Sequence, residues 1–195
     1  MPDLNRQVAS RVRALRAARR LPLEALARKS GVSRSMISLI ERAEASPTAV
    51  VLEKLATGLG VTLASLFDVP AAEGSQRAGP VSRHEDQVEW RDPASGYRRR
   101  NVSPPGANQP MQLVEVHFPP GARVAFESGA REVRVEQQVW VLEGTIDIRV
   151  GKDHYRLRRG DSLAMRLDRP TMFHNPTRRT TRYLVVLGSG IYSPR

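Results

Sequence analysis

The chain has 195 residues, 40% of them hydrophobic, with 31 Lys and Arg against 20 Asp and Glu, a formal charge of +11. That length accommodates one large domain or two small ones with adequate cores, and no apolar run approaches the ~18 residues that a membrane-spanning helix needs. The absence of cysteine excludes disulfides, thiolate zinc sites and cysteine nucleophiles. The N-terminus, MPDLNRQVASRVRALRAARR, has no apolar stretch of signal-peptide type, and its charges run on into a helical pattern, so a soluble, cytoplasmic protein is expected. The basic excess suits a polyanionic partner, but it is shared almost evenly between the two halves and locates no site.

Taken in chain order, the first 68 residues read as short helices. Leu4, Val8, Val12 and Leu15 fall on one face of a first helix and leave its arginines to solvent. Pro22 suits the first turn of a second, in which Leu23, Leu26 and Ala27 point inward and which Gly31 ends. Ser33 caps a third helix running to about Arg42, and Ser46-Pro47-Thr48 makes the next break. Val51, Leu52, Leu55 and Leu59 then define a fourth, and residues 62 to 67 a short fifth. The Pro, Gly and Ala-rich stretch at 69–80 reads as a linker. Beyond it the period changes to two: Val139 and Val141, then Ile146, Ile148 and Val150, then Leu163 and Met165 alternate with mostly polar neighbours between glycine turns. The expectation is a two-domain protein, an all-α five-helix domain over 1–68 and an all-β barrel or sandwich over 81–195, joined by the linker. Segment 81–107 is left open among edge strands, a lid on the barrel and part of a dimer interface.

Residues 21 to 48, LPLEALARKSGVSRSMISLIERAEASPT, carry the strongest motif. A tight crossing of two helices needs a small residue against the second helix, a glycine in the turn and apolar anchors beyond it, and Ala27, Gly31, Val32, Ile37 and Ile40 supply them in order. With its flanking helices this segment closely resembles the XRE family, the phage-repressor and Cro type of helix-turn-helix, over residues 5 to 68. The resemblance implies that Ser33 to Arg42 is a recognition helix lying in the major groove. Ser33, Arg34, Ser35, Ser38, Leu39 and Arg42, the residues not used as anchors, then face DNA. Arg34 suits bidentate bonding to guanine and is expected to contribute most to specificity, the serines suit bases or phosphates, and Leu39 a thymine methyl. Arg28 and Lys29 near the turn are candidates for phosphate contacts or simply solvated surface. The same resemblance assigns Arg16 and Glu41 to an internal ion pair.

Residues 139 to 177 resemble a cupin, the double-stranded β-helix barrel, through the V-L-E-G turn at 141–144, the G-D at 160–161, and the proline with nearby His-Asn at 170–175. With the PPG at 119–121 the resemblance covers roughly 108 to 188. Cupin enzymes hold a divalent metal with histidines and a glutamate, because transition metals need several such donors converging on one point. This sequence departs from that pattern: no His-x-His precedes the V-L-E-G turn, Gln137 stands where the glutamate is expected, and Thr171 follows Pro170 in place of a histidine. The expectation is therefore no bound metal, no other cofactor and no catalysis of the usual cupin kind. If Val139 and Val141 point inward, alternation sends Gln137 with them and Trp140 to the opposite face. Gln137, Met165, Thr171 and His174 are then expected to line a small-molecule pocket. The other histidines, His84, His117 and His154, and the pairs or runs Arg98–Arg100, Arg158–Arg159 and Arg178–Arg179 read as packing or solvated strand ends.

Joined in this order, the halves resemble XRE-type regulators with a C-terminal cupin sensor. That resemblance implies a homodimer on a roughly palindromic double-stranded operator, modulated by a small-molecule effector of unstated identity, with no membrane partner and no enzymatic role. Two other readings stand beside it: a cupin enzyme tethered to DNA, and an antitoxin-like repressor whose barrel serves only to dimerise.

Overall fold

A computed structural model describes residues 4–67, 79–104, 111–127 and 135–189. Most of the expected linker at 69–80 and the Pro-Gly pair at 105–106 lie outside the described residues. The N-terminal part holds four α-helices, α1 (Leu4–Ala18), α2 (Leu23–Ser30), α3 (Arg34–Glu41) and α4 (Ala49–Gly58). The fifth helix expected over 62–67 is corrected to a single 3₁₀ turn, Ala64–Leu66, because Gly60 and the Thr62 side chain set a tight turn too short for an α-helical ladder.

The helix boundaries follow local chemistry. Gly31 takes the left-handed conformation at φ 67° that closes α2, with its N–H donating to the Ala27 carbonyl. Ser33 Oγ accepts from the Met36 amide and Thr48 Oγ1 from the Val51 amide, satisfying amides that the starts of α3 and α4 would otherwise leave open. The apolar faces of the helices meet at Val8, Val12, Leu26, Ile37, Ile40, Leu52, Leu55 and Leu59, all fully buried. Where α4 crosses α2 there is no room for a side chain: a Cβ on Gly58 would stand 2.9 Å from Ser30 Cβ. Gly58 thereby holds α4 against the end of α2, one residue before the turn that leads to α3.

The C-terminal part is a cupin-like sandwich of two antiparallel sheets. One contains β1 (Glu89–Arg91), β2 (Arg98–Asn101), β3 (Met111–Phe118), β5 (Val135–Glu143), β8 (Ser162–Arg166) and β10 (Thr181–Ser189), in the order β1-β2-β3-β10-β5-β8. The other contains β4 (Arg123–Phe126), β6 (Thr145–Val150), β7 (Asp153–Arg158) and β9 (Thr171–His174), in the order β4-β9-β6-β7. Alternation sends Val114, Val116, Val139, Val141 and Tyr183 of the first sheet and Val124, Ile146, Ile148 and Phe173 of the second into the space between them. Of the three roles left open for residues 81–107, the described part takes that of edge strands, β1 and β2.

Those edge strands also bind the helical domain. Asp92, immediately after β1, is buried and accepts the Ala49 amide at 2.8 Å on Oδ1, while Oδ2 accepts the Ser95 amide at 2.9 Å. A carboxylate from the β domain thus caps the N-terminus of α4, where the helix dipole favours negative charge. Beside it a chain of rings crosses the junction: Phe67 lies 5.5 Å from Trp90, Trp90 5.8 Å from Tyr97, and Tyr97 5.6 Å from Phe118 inside the sandwich. Thr62 Oγ1 donates to Gln112 Oε1 at 2.8 Å, and Lys54 Nζ pairs with Glu127 at 2.9 Å. The two cores are therefore continuous. Asp92→Ala removes the cap and leaves buried amides unsatisfied, and is expected to cost about 2 kcal/mol and lower Tm by about 4–8 °C in thermal unfolding of the full chain.

Candidate nucleic-acid interface and ligand cavity

On α3 the buried anchors Ile37 and Ile40 face the helical core, and the spacing of Arg34, Ser35, Ser38, Leu39 and Arg42 puts these residues on the opposite side. Ser33, Arg34 and Ser35 at the N-terminal end of the helix are exposed, as is Arg42 at the far end, while Ser38 and Leu39 are half-buried between them. Two of these residues also have structural partners. Ser33 is the N-cap and its hydroxyl lies 3.2 Å from that of Ser35. Arg42 forms a two-pronged ion pair with Glu44, with 2.8 Å contacts, and also donates to Ser38 Oγ. Met36, 38% exposed, shares the N-terminal turn of α3 with Arg34 and was not singled out from the sequence, where it reads as one more apolar helix residue. Arg28 on α2 lies 3.6 Å from Glu24, one turn away, and both side chains are well exposed.

The rigidity of this face rests on the pair expected from the sequence. Arg16 donates through Nε and Nη2 to the two carboxylate oxygens of Glu41 at 2.7 and 2.8 Å, and through Nη1 to the Leu21 carbonyl at 2.9 Å. The side chains are 19% and 8% exposed, so the pair is mostly screened from water and ties the end of α1 to the end of α3. The hydrogen bond to Glu41 raises the pKa of Arg16 further above its ordinary value.

Behind the helical domain lies a cavity of about 90 Å³. Its wall is mostly apolar and comes from both parts of the chain: Val114, Val124, Phe173 and Leu187 of the sandwich, with Glu53 of α4 and Thr62 and Leu63 of the turn that follows it. Of the four residues expected to line a pocket, Gln137 and Thr171 do so. Met165 does not: it is buried opposite Gln137 in the β5–β8 ladder, at the far edge of the larger sheet. His174 is corrected more fundamentally. It follows the inward Phe173 on β9 and so faces outward, opposite Arg123 and Asp147, with Nδ1 3.9 Å from the Asp147 carboxylate. That carboxylate belongs to Arg156, whose hydrogen bonds at 2.7 and 2.8 Å hold it below the usual carboxylate range.

Two buried charged residues of the cavity wall escaped the sequence reading. Arg99, the middle of Arg98–Arg100, is only 6% exposed, because on a strand it points to the face opposite its two neighbours. Its guanidinium carbon sits 4.8 Å from the centre of the Phe67 ring, and it hydrogen-bonds the Tyr97 hydroxyl. Burial pushes the Tyr97 phenol up to about 12 and raises that of Tyr183 as well, so both remain neutral. Glu53 meets the same cavity from α4 at 7% exposure. Two-residue alternation in Arg98–Arg100 was the signal for Arg99; nothing on α4 alone marks Glu53 as facing another domain.

The donor set does not fit the metal that the cupin resemblance raises. Gln137 offers a neutral amide and Thr171 a hydroxyl, and among the described residues no three His, Asp or Glu side chains come together as metal ligands.

A helix-turn-helix with an exposed third-helix face, joined to a cupin-like sandwich, defines a DNA-binding transcriptional regulator. Residues 12–66 match the helix-turn-helix family HTH_3. That match covers the helical part, and along nearly its whole length the chain is similar to HTH-type transcriptional regulators. It is 28% identical to the HTH-type transcriptional regulator SutR of Escherichia coli over 183 residues, spanning 94% of this chain and 95% of that protein. It is 26% identical to the HTH-type transcriptional regulator PuuR of the same organism over 176 residues, spanning 90% and 91%. A crystal structure of an HTH_3 family transcriptional regulator from Vibrio cholerae shares the fold across 98% of both chains, with TM-score 0.74 at 23% identity. Among the described residues no helix is long and apolar enough to cross a membrane.

Glu41→Ala leaves the Arg16 guanidinium without its carboxylate partner in a mostly buried position, with only the Leu21 carbonyl to accept from it. It is expected to destabilise the helical domain by about 3 kcal/mol, read from urea unfolding, and Arg16→Ala by a similar amount.

Proposed function

We propose that the chain acts in the cytoplasm as a homodimer on a roughly palindromic operator, reading bases through α3 and responding to a small molecule held in the cavity. Arg34, at the exposed N-terminal end of α3, reads guanine; Ser35, Ser38 and Leu39 fit against neighbouring bases and phosphates, and Ser33, Arg42, Arg28 and Lys29 lie along the DNA backbone. The division of labour follows the boundaries 1–68 for reading, 69–80 for connection and 81–195 for sensing and dimerisation. Gln137 and Thr171 are the ligand-facing residues carried over from the sequence.

The observation that supports the sensing role is the composition of the cavity wall. Because Glu53, Thr62 and Leu63 of the helical domain complete a cavity otherwise formed by the sandwich, a ligand there touches both domains at once. A ligand shifts an equilibrium only by the difference in its affinity for the two states, and a wall shared between domains makes that difference depend on how they dock. No separate relay is required. The effect would reach α3 through α4, which Gly58 packs tightly against α2.

The test begins by selecting operator sequences from a random duplex pool with the full chain. Arg34→Ala is expected to lose about tenfold to a hundredfold in operator affinity while weak, salt-sensitive binding to random DNA persists. Equal discrimination by wild type and variant would remove Arg34 from the reading face. For the sensing arm, the small-molecule fraction of a host extract is expected to change operator affinity of the wild type but not of Leu63→Phe, which puts a larger side chain on the cavity wall. An unchanged affinity in the wild type would refute the effector role.

A further inference from the structure

The two sheets of the sandwich turn different faces to the outside. On the larger sheet, the side chains that alternate with the inward Val114, Val139, Tyr183 and Leu187 point away from the interior. The register sets Trp140 of β5 opposite Leu184 of β10 and Val186 of β10 opposite Leu113 of β3, with Met111 two residues further along β3. Trp140 is 48% and Met111 54% exposed, and Leu113, Leu184 and Val186 are half-buried. These five form an apolar centre that crosses three adjacent strands on the outer face. A contiguous apolar patch with a polar border marks an interaction surface.

The charges around that centre stand in pairs. Glu115 is bonded to Arg100, Glu143 meets Arg182 at 2.9 Å, and Glu136 meets Arg166 at 3.3 Å. Three acids and three arginines leave this rim close to neutral, although the chain carries +11. The outer face of the smaller sheet contrasts with it: Arg123, Arg149, Arg156 and Arg158 share that face with His154, His174 and Asp147. Two copies that approach through the basic face repel each other, whereas the balanced rim imposes no such barrier. A polyanion has the opposite preference, so the larger sheet suits a protein partner and not nucleic acid. Its size agrees. Five strands at about 4.8 Å spacing, with β3 about 27 Å long, give a face of about 650 Å² before side-chain relief is added, close to the ~800 Å² that one partner buries in a standard complex.

We propose that two copies of this chain pair through the outer face of the larger sheet, with Trp140 at the centre of the contact. The inference rests on the reading of the chain as a homodimer and adds the surface. A two-fold contact brings one patch onto itself, which an apolar centre with both signs of charge on its rim accommodates. The same six-stranded sheet ends in β1 and β2, and Asp92, the residue after β1, caps α4. One sheet thus carries the contact between copies and the dock for the helical domain, and pairing through it sets the two recognition helices relative to the two-fold axis.

The experiment follows the full chain by sedimentation velocity over a dilution series, with and without a selected operator. The wild type is expected to dimerise. Trp140→Glu and Gln138→Arg, both at exposed positions on the outer side of β5, are expected to weaken the dimer by about a hundredfold and about tenfold, and Arg149→Glu, exposed on the basic face, by no more than about twofold. Circular dichroism checks that each variant folds. A second measurement needs no variant: Trp90 is 4% exposed, so acrylamide quenching of the wild type reports mainly on Trp140, and it is expected to be weak in the dimer and to strengthen as the dimer dissociates. The surface is overturned, with the homodimer left standing, by a wild-type dimer in which acrylamide quenches Trp140 freely, or by a folded Trp140→Glu or Gln138→Arg that dimerises as tightly as the wild type. A wild type that stays monomeric at every concentration, operator present or absent, overturns both readings.

Discussion

The carboxylate of Asp92 and the first amide of α4 form the contact on which the rest of the architecture depends. A helix start buried against another domain leaves amides that water cannot reach, and a buried carboxylate needs donors; here each supplies what the other lacks, at 2.8 Å. The contact fixes the beginning of α4 on the sandwich, and Gly58 fixes its end on α2. The two ends of one ten-residue helix therefore connect the barrel to the helix-turn-helix. Asp92 and the Phe67–Trp90 contact thus join the sandwich to the helical domain, and Gly58 packs on Ser30 beside the turn that precedes α3.

How much of this was legible in the sequence depends on the length of each element. The helices of the first 68 residues were readable because each runs long enough for its period to show and because Ser33, Thr48 and Gly31 mark ends by chemistry that acts locally. The Arg16–Glu41 pair was readable only through the family resemblance, since nothing in the spacing of residues 25 apart announces a contact. Strand β5, with nine residues, showed its alternation and placed Gln137 inward and Trp140 outward, and Trp140 is indeed 48% exposed on the outer face. The domain junction was not readable. It is made by β1 and β2, of three and four residues, too short for a period to emerge from noise, and their apolar and charged residues looked like an ambiguous prelude to the barrel.

The error at His174 has a simple geometric origin. Thr171 and His174 are an odd number of residues apart on one strand, so a pleated backbone sends them to opposite faces. Taking Thr171 inward already placed His174 outside; proximity in sequence to the position of a cupin ligand outweighed the strand's own parity. Arg99 shows the converse. A run of three arginines suggests solvated charge, yet on a strand the middle residue is bound to leave its neighbours' face, and here the other face is the interior.

The cupin-like sandwich offers an interior that metal ions occupy in enzymes, and this chain fills the corresponding positions with groups of a different chemistry. Gln137 and Thr171 offer neutral hydrogen bonds where donors of greater basicity would be needed, while two buried charged residues, Arg99 of β2 and Glu53 of α4, also line the cavity. Charged side chains thus stand on the wall shared with the helical domain. A metal at the centre would be held by the sandwich alone, and its binding energy would be the same whatever the helical domain did. A wall shared by two domains differs, because separating the domains divides it, so that occupancy of such a cavity and docking of the domains are coupled equilibria.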